Sequence, residues 1–449
     1  MSALKLGSRS RLRAILALGV VSLAAVQAQS DSLSVATPGR TTVDEEASIK
    51  DPNQECEPYY YEPIGKALAS FPPIWETASI LPEDGNALAK FASIQASIPD
   101  IAPKGTPEGN FDGLNYPADD PDCWWTNSKC GTPKAPGVPA DISIMPEPRT
   151  LGYGFDDGPN CSHNAFYDYL ASQKQTATMF YIGSNVMDWP LEAARAVKDG
   201  HEICVHSWSH HYMTALTNEV AFAELYYSVS VKVATGVTPT CWRPPFGDVD
   251  DRIRAIAAGL GLRTILWAYD SQDWQYGVTP GITTADVDKE YQSMVDDAKK
   301  GMFNNVGTMI LAHELDDYTM GEAMKFYPML KEAFDHIVPV AIGMNITQPY
   351  VESEIVMPNF AQYISLNKQL AVNLTTSSAS SQPSPTLTRS VVGPASTTTA
   401  PVNNDAANNK KTADASRLSW VLSGTGGVKF VVAFLLGFLC AARIGVVSQ

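Results

Sequence analysis

Short apolar runs recur through the middle of the chain, at "TATMFYIG", "HEICV", "RTILWAYD", "GTMILAH" and "VPVAIGM". Runs this short, bounded by polar sequence, predict buried strands. Segments of helical period lie between several of them. In "DWPLEAARAVKDG" a helix is predicted with Asp188 as N-cap, Pro190 in the first turn and Gly200 as the stop. In "TNEVAFAELYYSVSVKVATG" the residues Val220, Ala223, Tyr227, Val231 and Ala234 share one stripe ahead of Gly236. Strand, helix and strand in repetition predict an α/β domain, a parallel sheet with helices outside, either closed or open. Its extent, 146–345, suits one barrel-like domain with fewer units than a full eight.

The flanks read differently. Residues 29–145 include "SFPPIWETASILPEDG" and "YPADDPDCWWTNSKCGTPKAPGVP", rich in Pro, Asp and aromatics, and predict an irregular extension packed on the main domain. Trp124 and Trp125 there could stack on sugar rings, although burial is the commoner fate of such rings. Residues 346–374 are taken as a C-terminal extension of the core.

Both ends carry processing signals. Lys5, Arg9, Arg11 and Arg13 precede the apolar run "AILALGVVSLAAV", which predicts a secretory signal peptide over 1–28, cut after Ala28. Residues 375–415 are rich in Ser, Thr and Pro and read as an O-glycosylated stalk. A polar spacer and the apolar tail within 416–449 read as a glycosylphosphatidylinositol (GPI)-anchor signal. The expected product is secreted and anchored to the plasma membrane or to cell-wall glucan. Sequons begin at Asn160, Asn345 and Asn373.

The formal net charge of -16 argues against a nucleic-acid partner. Of the seven cysteines, Cys440 lies in the tail. The other six are Cys56, Cys123, Cys130, Cys161, Cys204 and Cys241, an even set that predicts disulfides in an oxidising compartment. Cys123 with Cys130 is the local pairing expected. Without CxxC pairs, metal binding by these cysteines is not expected.

The polar residues with chemical potential gather where the predicted strands end, as catalytic groups do in α/β domains. "LGYGFDDGPN" closes an apolar run with adjacent carboxylates, Asp156 and Asp157, which repel unless a positive charge sits nearby. After "HEICV" comes "HSWSH", whose His206 and His210 would share one face of a helical turn. Two histidines and a carboxylate, from Asp156 or Asp157, make a hydrolytic metal-ligand set with an open position for water. The other carboxylate would remain beside it as a base. "CWRPPFGD" offers Arg243, "DSQDW" follows "RTILWAY", and His313 follows "GTMILA".

The segments "GFDDGP", "HSWSH", "RPPFG", "DSQDW" and "LAH" resemble, in order, the five motifs of the NodB-homology polysaccharide deacetylases, carbohydrate esterase family 4. Within that family the chain looks most like the fungal chitin deacetylases. The match covers roughly Thr150 to Asn345, and five separated motifs in order make it specific.

The resemblance implies a deformed (β/α) barrel with its active site in an open groove. It implies a monomeric, metal-dependent hydrolase that removes N-acetyl groups from chitin, giving chitosan and acetate. Asp156 would be the base, and Asp157, His206 and His210 the ligands of Zn2+ or Co2+. His313 would be the acid, oriented by Asp273 rather than Asp270, with Arg243 orienting Asp156. The backbone N–H of Phe246 would serve the oxyanion, and Trp274 and Leu311 would line the acetyl pocket. Ser207, Phe246 and Cys204 depart from the residues usual at their positions, and none of the three removes a catalytic group. His163, His201, His211 and His336 are assigned no role in the chemistry. Deacetylation of another acetylated polymer, such as xylan or peptidoglycan, and a non-catalytic wall lectin are the competing readings.

Overall fold

The structure, a computed structural model, describes residues 40–229 and 232–366. The expected signal peptide, stalk and anchor tail lie outside the described residues, as do Val231, Asn373 and Cys440.

The strands are β1 Thr150–Gly152, β2 Gly154–Gly158, β3 Thr178–Tyr181, β4 Glu202–Val205, β5 Cys241–Trp242, β6 Arg263–Thr264, β7 Tyr269–Asp270, β8 Thr308–Leu311 and β9 His336–Val338. They form two ladders, β7-β8-β1-β9 and β2-β3-β4-β5-β6, and every strand pair in them is parallel. Two seams close these ladders into a deformed barrel. At one, Asp156 of β2 bridges His313 just past β8. At the other, β6 runs on into β7, with Leu266 N–H bonded to the Ile142 carbonyl and Ala268 N–H to that of Met309. All-parallel pairing requires crossover helices, which cover the strands. The longer helices are α1 Gly85–Ile94, α2 Asn164–Gln173, α3 Pro190–Lys198, α4 Asn218–Val229, α5 Asp251–Gly259, α6 Thr284–Lys299 and α7 Asp317–Ala333. Side-chain caps fix their starts: Asp84 on α1, Asp250 on α5, Thr283 with Asp286 on α6, and Asp316 with Thr319 on α7.

Three expectations need correction. Asp188 does not cap α3; it ends the short helix Gly183–Asp188 and accepts the Trp75 indole N–H at 3.0 Å. Pro190 occupies the first position of α3, so Trp189 is the residue before it and makes no side-chain cap. The run "VPVAIGM" is mostly a helical turn, Val340–Gly343, preceded by β9. Pro339 has no N–H for the ladder and stops the strand there. The stripe on α4 holds for Ala223 and Tyr227, which are buried, as is Ala234 in the helical segment Lys232–Thr235.

The N-terminal extension is part of the core. Ile64, Ala78, Ile80, Ala87, Ile94 and Trp125 are buried in the same cluster as the strands. Trp124 and Trp125 are only 4% and 6% exposed, so both are packing residues rather than a surface platform. The six cysteines pair as Cys56–Cys161, Cys123–Cys130 and Cys204–Cys241. The first bridge ties the extension to the loop after β2. Residues beyond β9 pack back as well, and the Tyr350 hydroxyl accepts the Ile203 N–H of β4 at 3.0 Å.

Candidate active site

A strand alternates its side chains, so Asp156 and Asp157 would ordinarily point to opposite faces. The register of β2 against β3 shifts between Asp156 and Gly158, and Asp157 takes a left-handed φ of 72°. That bulge turns both carboxylates toward the same end of the barrel. Asp156 Oδ1 meets the Arg243 guanidinium at 2.6 Å, with both side chains buried, and the guanidinium lies 3.9 Å over the Phe180 ring. Asp157 Oδ1 instead lies 3.3 Å from His206 Nε2 and 3.1 Å from His210 Nε2. The two adjacent acids therefore have different partners.

His206 and His210 follow β4 but are not on a helix. Ser207 and His210 adopt left-handed φ values of 62° and 59°, and Ser207 Oγ accepts the His210 N–H at 3.0 Å. The i, i+4 spacing brings the imidazoles together, 5.0 Å between ring centroids, through a tight turn. Those left-handed residues exclude a helix here, and the peptide N–H groups of Trp208 and Ser209 bond to the Glu224 carboxylate instead. His206 Nδ1 lies 2.7 Å from the Arg243 carbonyl oxygen, which can only accept. Nδ1 thus carries the proton, and the lone pair of Nε2 faces Asp157.

This arrangement fits a divalent cation. Burial opposes ionisation of Asp157, and positive charge on the His210 side outweighs it, holding the carboxyl well below its usual range; a bound cation would supply that charge with both imidazoles neutral. Its Oδ1 is buried without a hydrogen-bond donor. An anionic oxygen facing a nitrogen lone pair needs a positive charge between them. The ligand atoms of Asp157, His206 and His210 all lie within 4.8 Å of one another. Oxygen and imidazole donors in that number suit zinc or a similar ion.

His313 emerges two residues beyond Leu311, at the end of β8. Asp156 N–H bonds the Ala312 carbonyl and Glu314 N–H bonds that of Asp156, both at 2.9 Å, which sets His313 beside the base. Its Nδ1 lies 2.6 Å from Asp273 Oδ1. Burial alone would lower its pKa, but the Asp273 charge outweighs burial and the imidazole is pushed up to about 10. Asp270 points elsewhere: its Oδ1 accepts the Gln272 N–H at 2.9 Å, and burial raises its carboxyl. Trp274 is half-buried, with its N–H on Asp273 Oδ1 at 2.8 Å. Leu311 is buried at the β8 terminus. Phe246 sits at a left-handed φ of 59° after Pro244 and Pro245, its ring stacked on Tyr212 at 4.1 Å and edge-on to His210 at 4.6 Å.

Residues 144–265 match the polysaccharide deacetylase family. Chitin deacetylase 2 of Cryptococcus neoformans var. grubii is 55% identical over 335 residues, 73% of this chain and 73% of that one. The chain belongs to the polysaccharide deacetylase family. A second relative in this family, the chitin deacetylase of Amylomyces rouxii, is 45% identical over 320 residues, 69% of this chain and 74% of that one. Among solved structures, the chitin deacetylase of Colletotrichum lindemuthianum aligns with 45% of this chain and 91% of its own, at 20% identity and a TM-score of 0.41.

Around the five deacetylase motifs stand buried acids that the motif reading passed over. Glu314, next to His313, accepts from Asn160 N–H, the Tyr167 hydroxyl and His163 Nδ1. Asp248, at the end of "RPPFGD", accepts from Trp124 Nε1, Thr126 Oγ1 and both donors of Thr214. Glu224 holds the histidine turn. Glu224 was visible as a lone acid inside an apolar segment, a placement that demands buried donors, whereas Asp248 and Glu314 stand in acid-rich runs that give no such signal. The Asn160 side-chain amide donates to the Leu315 carbonyl at 2.6 Å, which ties that sequon to the loop after β8. Of the remaining histidines, buried His201 accepts the Ala177 N–H at 3.1 Å, and burial pushes it down to about 3.

Proposed function

We propose that this enzyme is a metal-dependent chitin deacetylase, hydrolysing N-acetylglucosamine units to glucosamine and acetate. The observation that carries the reading is the pair of adjacent carboxylates with divided duties: Asp157 on two imidazole nitrogens, Asp156 on Arg243. The names of the relatives support chitin as the substrate.

Asp157, His206 and His210 would hold the cation, zinc or cobalt by the donor set. When bound, it supplies Lewis-acid polarisation of the amide carbonyl and lowers the pKa of a water molecule. Asp156 accepts the proton of the attacking water. Arg243 keeps that carboxylate oriented at its Oδ1, leaving Oδ2, 3.8 Å from His206 Nε2, turned toward the ligand side. The Phe246 N–H is the proposed oxyanion donor, held by the rigid Pro-Pro turn. His313, kept protonated by Asp273, delivers a proton to the departing amine nitrogen, without which the C–N bond does not break. The balance is one amide and one water converted to one amine and one acetic acid, which part as ammonium and acetate. Trp274 and Leu311 flank the acid and are proposed to seat the acetyl methyl.

Location at the fungal wall through a GPI anchor is proposed on the composition of the two chain ends alone. The activity test is acetate release from chitin oligomers, with bound metal quantified and a chelator control. Acetate that disappears on chelation and returns with zinc or cobalt supports the reading. A chain that binds metal but releases acetate only from another acetylated glycan would replace chitin as the substrate.

A further inference from the structure

The turn bearing His206 and His210 lies outside the strand ladder, and one side chain grips it from behind. Glu224 on α4 is 0% exposed, and all its recorded partners are donors. Oε2 accepts the N–H groups of Trp208 and Ser209, each at 2.9 Å. Oε1 accepts the Ser209 hydroxyl at 2.6 Å and the Ala78 N–H at 2.8 Å. Three of these four donors lie between the two histidines, and the fourth comes from the N-terminal extension. A carboxylate is an acceptor-only group, so it matches all four at once, which neither an amide nor an apolar side chain can do.

The extension grips the same turn independently. The Trp208 indole N–H donates to the Pro73 carbonyl at 3.0 Å, and the Phe71 ring stacks on Trp208 at 5.8 Å. Ser184 Oγ donates to the Trp208 carbonyl at 2.6 Å while accepting the Trp75 N–H at 2.9 Å. Thr77 Oγ1 lies 3.0 Å from His211 Nε2. Gly183 makes room for this seat, because a Cβ there would fall 2.6 Å from the Trp208 ring. Ser207 and His210 hold left-handed backbone that side-chain-bearing residues rarely adopt, so the turn needs such external bonds to persist.

We propose that Glu224 is a positioning residue for the metal ligands, holding the His206–His210 turn against α4 and the extension in the geometry that binds the cation. The inference rests on the metal-binding reading of Asp157, His206 and His210. Glu224 touches neither substrate nor metal; it acts through the peptide groups of Trp208 and Ser209. Groups that orient first ligands in this way typically contribute about 10–100-fold to metal affinity.

The test is the zinc affinity of the full chain by chelator competition, read beside its thermal midpoint. Glu224→Ala should weaken zinc by about 10–100-fold in the folded protein. Glu224→Gln, which can still accept at one oxygen, should lose less. With zinc saturating, the Gln variant should recover kcat at an unchanged KM for chitin oligomers. A purely structural role would lower the midpoint and leave the zinc affinity of the folded chain alone. If the Ala variant does not fold, the Gln variant decides, and zinc binding within twofold of the parent would overturn the proposal. A parent chain that binds no zinc would instead overturn the metal reading and this inference with it.

Discussion

His313 Nδ1 lies 2.6 Å from Asp273 Oδ1, and the second oxygen of the same carboxylate accepts the His313 backbone N–H at 3.0 Å. Two contacts to one residue fix both the position and the rotation of the imidazole. They also fix its charge, because the carboxylate favours the imidazolium that an acid catalyst must be.

Asp273→Asn tests that second role. Burial would depress His313, and the Asp273 charge is the main influence opposing it, holding the imidazole up to about 10. The acid form is the active one, so a raised pKa extends activity toward alkaline pH. Without the charge, His313 deprotonates earlier, and the alkaline limb of kcat/KM should move down by at least about one pH unit. A divalent cation at Asp157 repels the imidazolium in parent and variant alike, so the difference between profiles isolates Asp273. A limb that stays in place would remove His313 from the acid role.

Asp156 and His206 should separate chemistry from metal binding. Asp156→Asn keeps a side chain of the same shape beside Arg243 and touches none of the three ligand bonds. Turnover should fall by about 10²–10⁴ with metal content retained, the usual contribution of a positioned base. His206→Ala removes a ligand and should lower bound metal directly. Retention of most of the rate by Asp156→Asn would show that the base is another group.

Much of this was legible in the sequence because strand ends are one-dimensional signals. An apolar run followed by a polar residue marks the mouth of a barrel, and His206, Arg243 and His313 each sit one or two residues past such a run. Backbone handedness was not legible. The spacing of His206 and His210 suggested a helical turn, whereas the left-handed residues Ser207 and His210 build a tighter one, and nothing local to "HSWSH" reveals that Glu224, sixteen residues beyond Trp208, holds it. The bulge at Asp157 is of the same kind. It decides which of two identical side chains meets which partner, and it arises from pairing with β3 rather than from the acids themselves. The extension was read as irregular; it carries α1 and several short helical turns, and its loop backbone supplies the Ala78, Trp75 and Pro73 groups around the site, which only tertiary contact makes visible.

The Cys204–Cys241 bridge should stabilise the site from beneath. It joins β4, which ends one residue before His206, to β5, which ends one residue before Arg243. The loop it closes spans 37 residues, for which chain-entropy reasoning gives about 2–4 kcal/mol. A Cys204→Ser, Cys241→Ser double variant should lose that much in urea unfolding, with a lower thermal midpoint. It should also weaken the His206–Arg243 carbonyl contact that sets the imidazole tautomer. Equal unfolding midpoints for parent and variant would show that the parallel ladder alone holds these strands.

Glu192 on α3 gives a pH dependence with a definite sign. It is buried beneath the extension, with Arg40 at 3.3 Å, the Tyr59 hydroxyl on its Oε2, and the charges of Glu46 and His163 close enough to act on it. Burial first, and then the Glu46 charge, push its carboxyl up to about 7 against help from Tyr59, His163 and Arg40. In the unfolded chain it titrates near its ordinary value of 4.5. Between those values the native chain binds more protons than the unfolded one, so this group makes stability fall as pH rises. Its contribution is full below the unfolded pKa and is lost through the native one, on the order of 3 kcal/mol. His201 slopes the other way between about 3 and its ordinary 6.5, because burial keeps it neutral while the unfolded chain is protonated. Comparing Glu192→Gln with the parent cancels His201 and leaves Glu192 alone. Unfolding free energies measured from pH 5 to 8 should decline more steeply in the parent than in the variant, and parallel curves would mean that Glu192 is already ionised beneath the extension at pH 5.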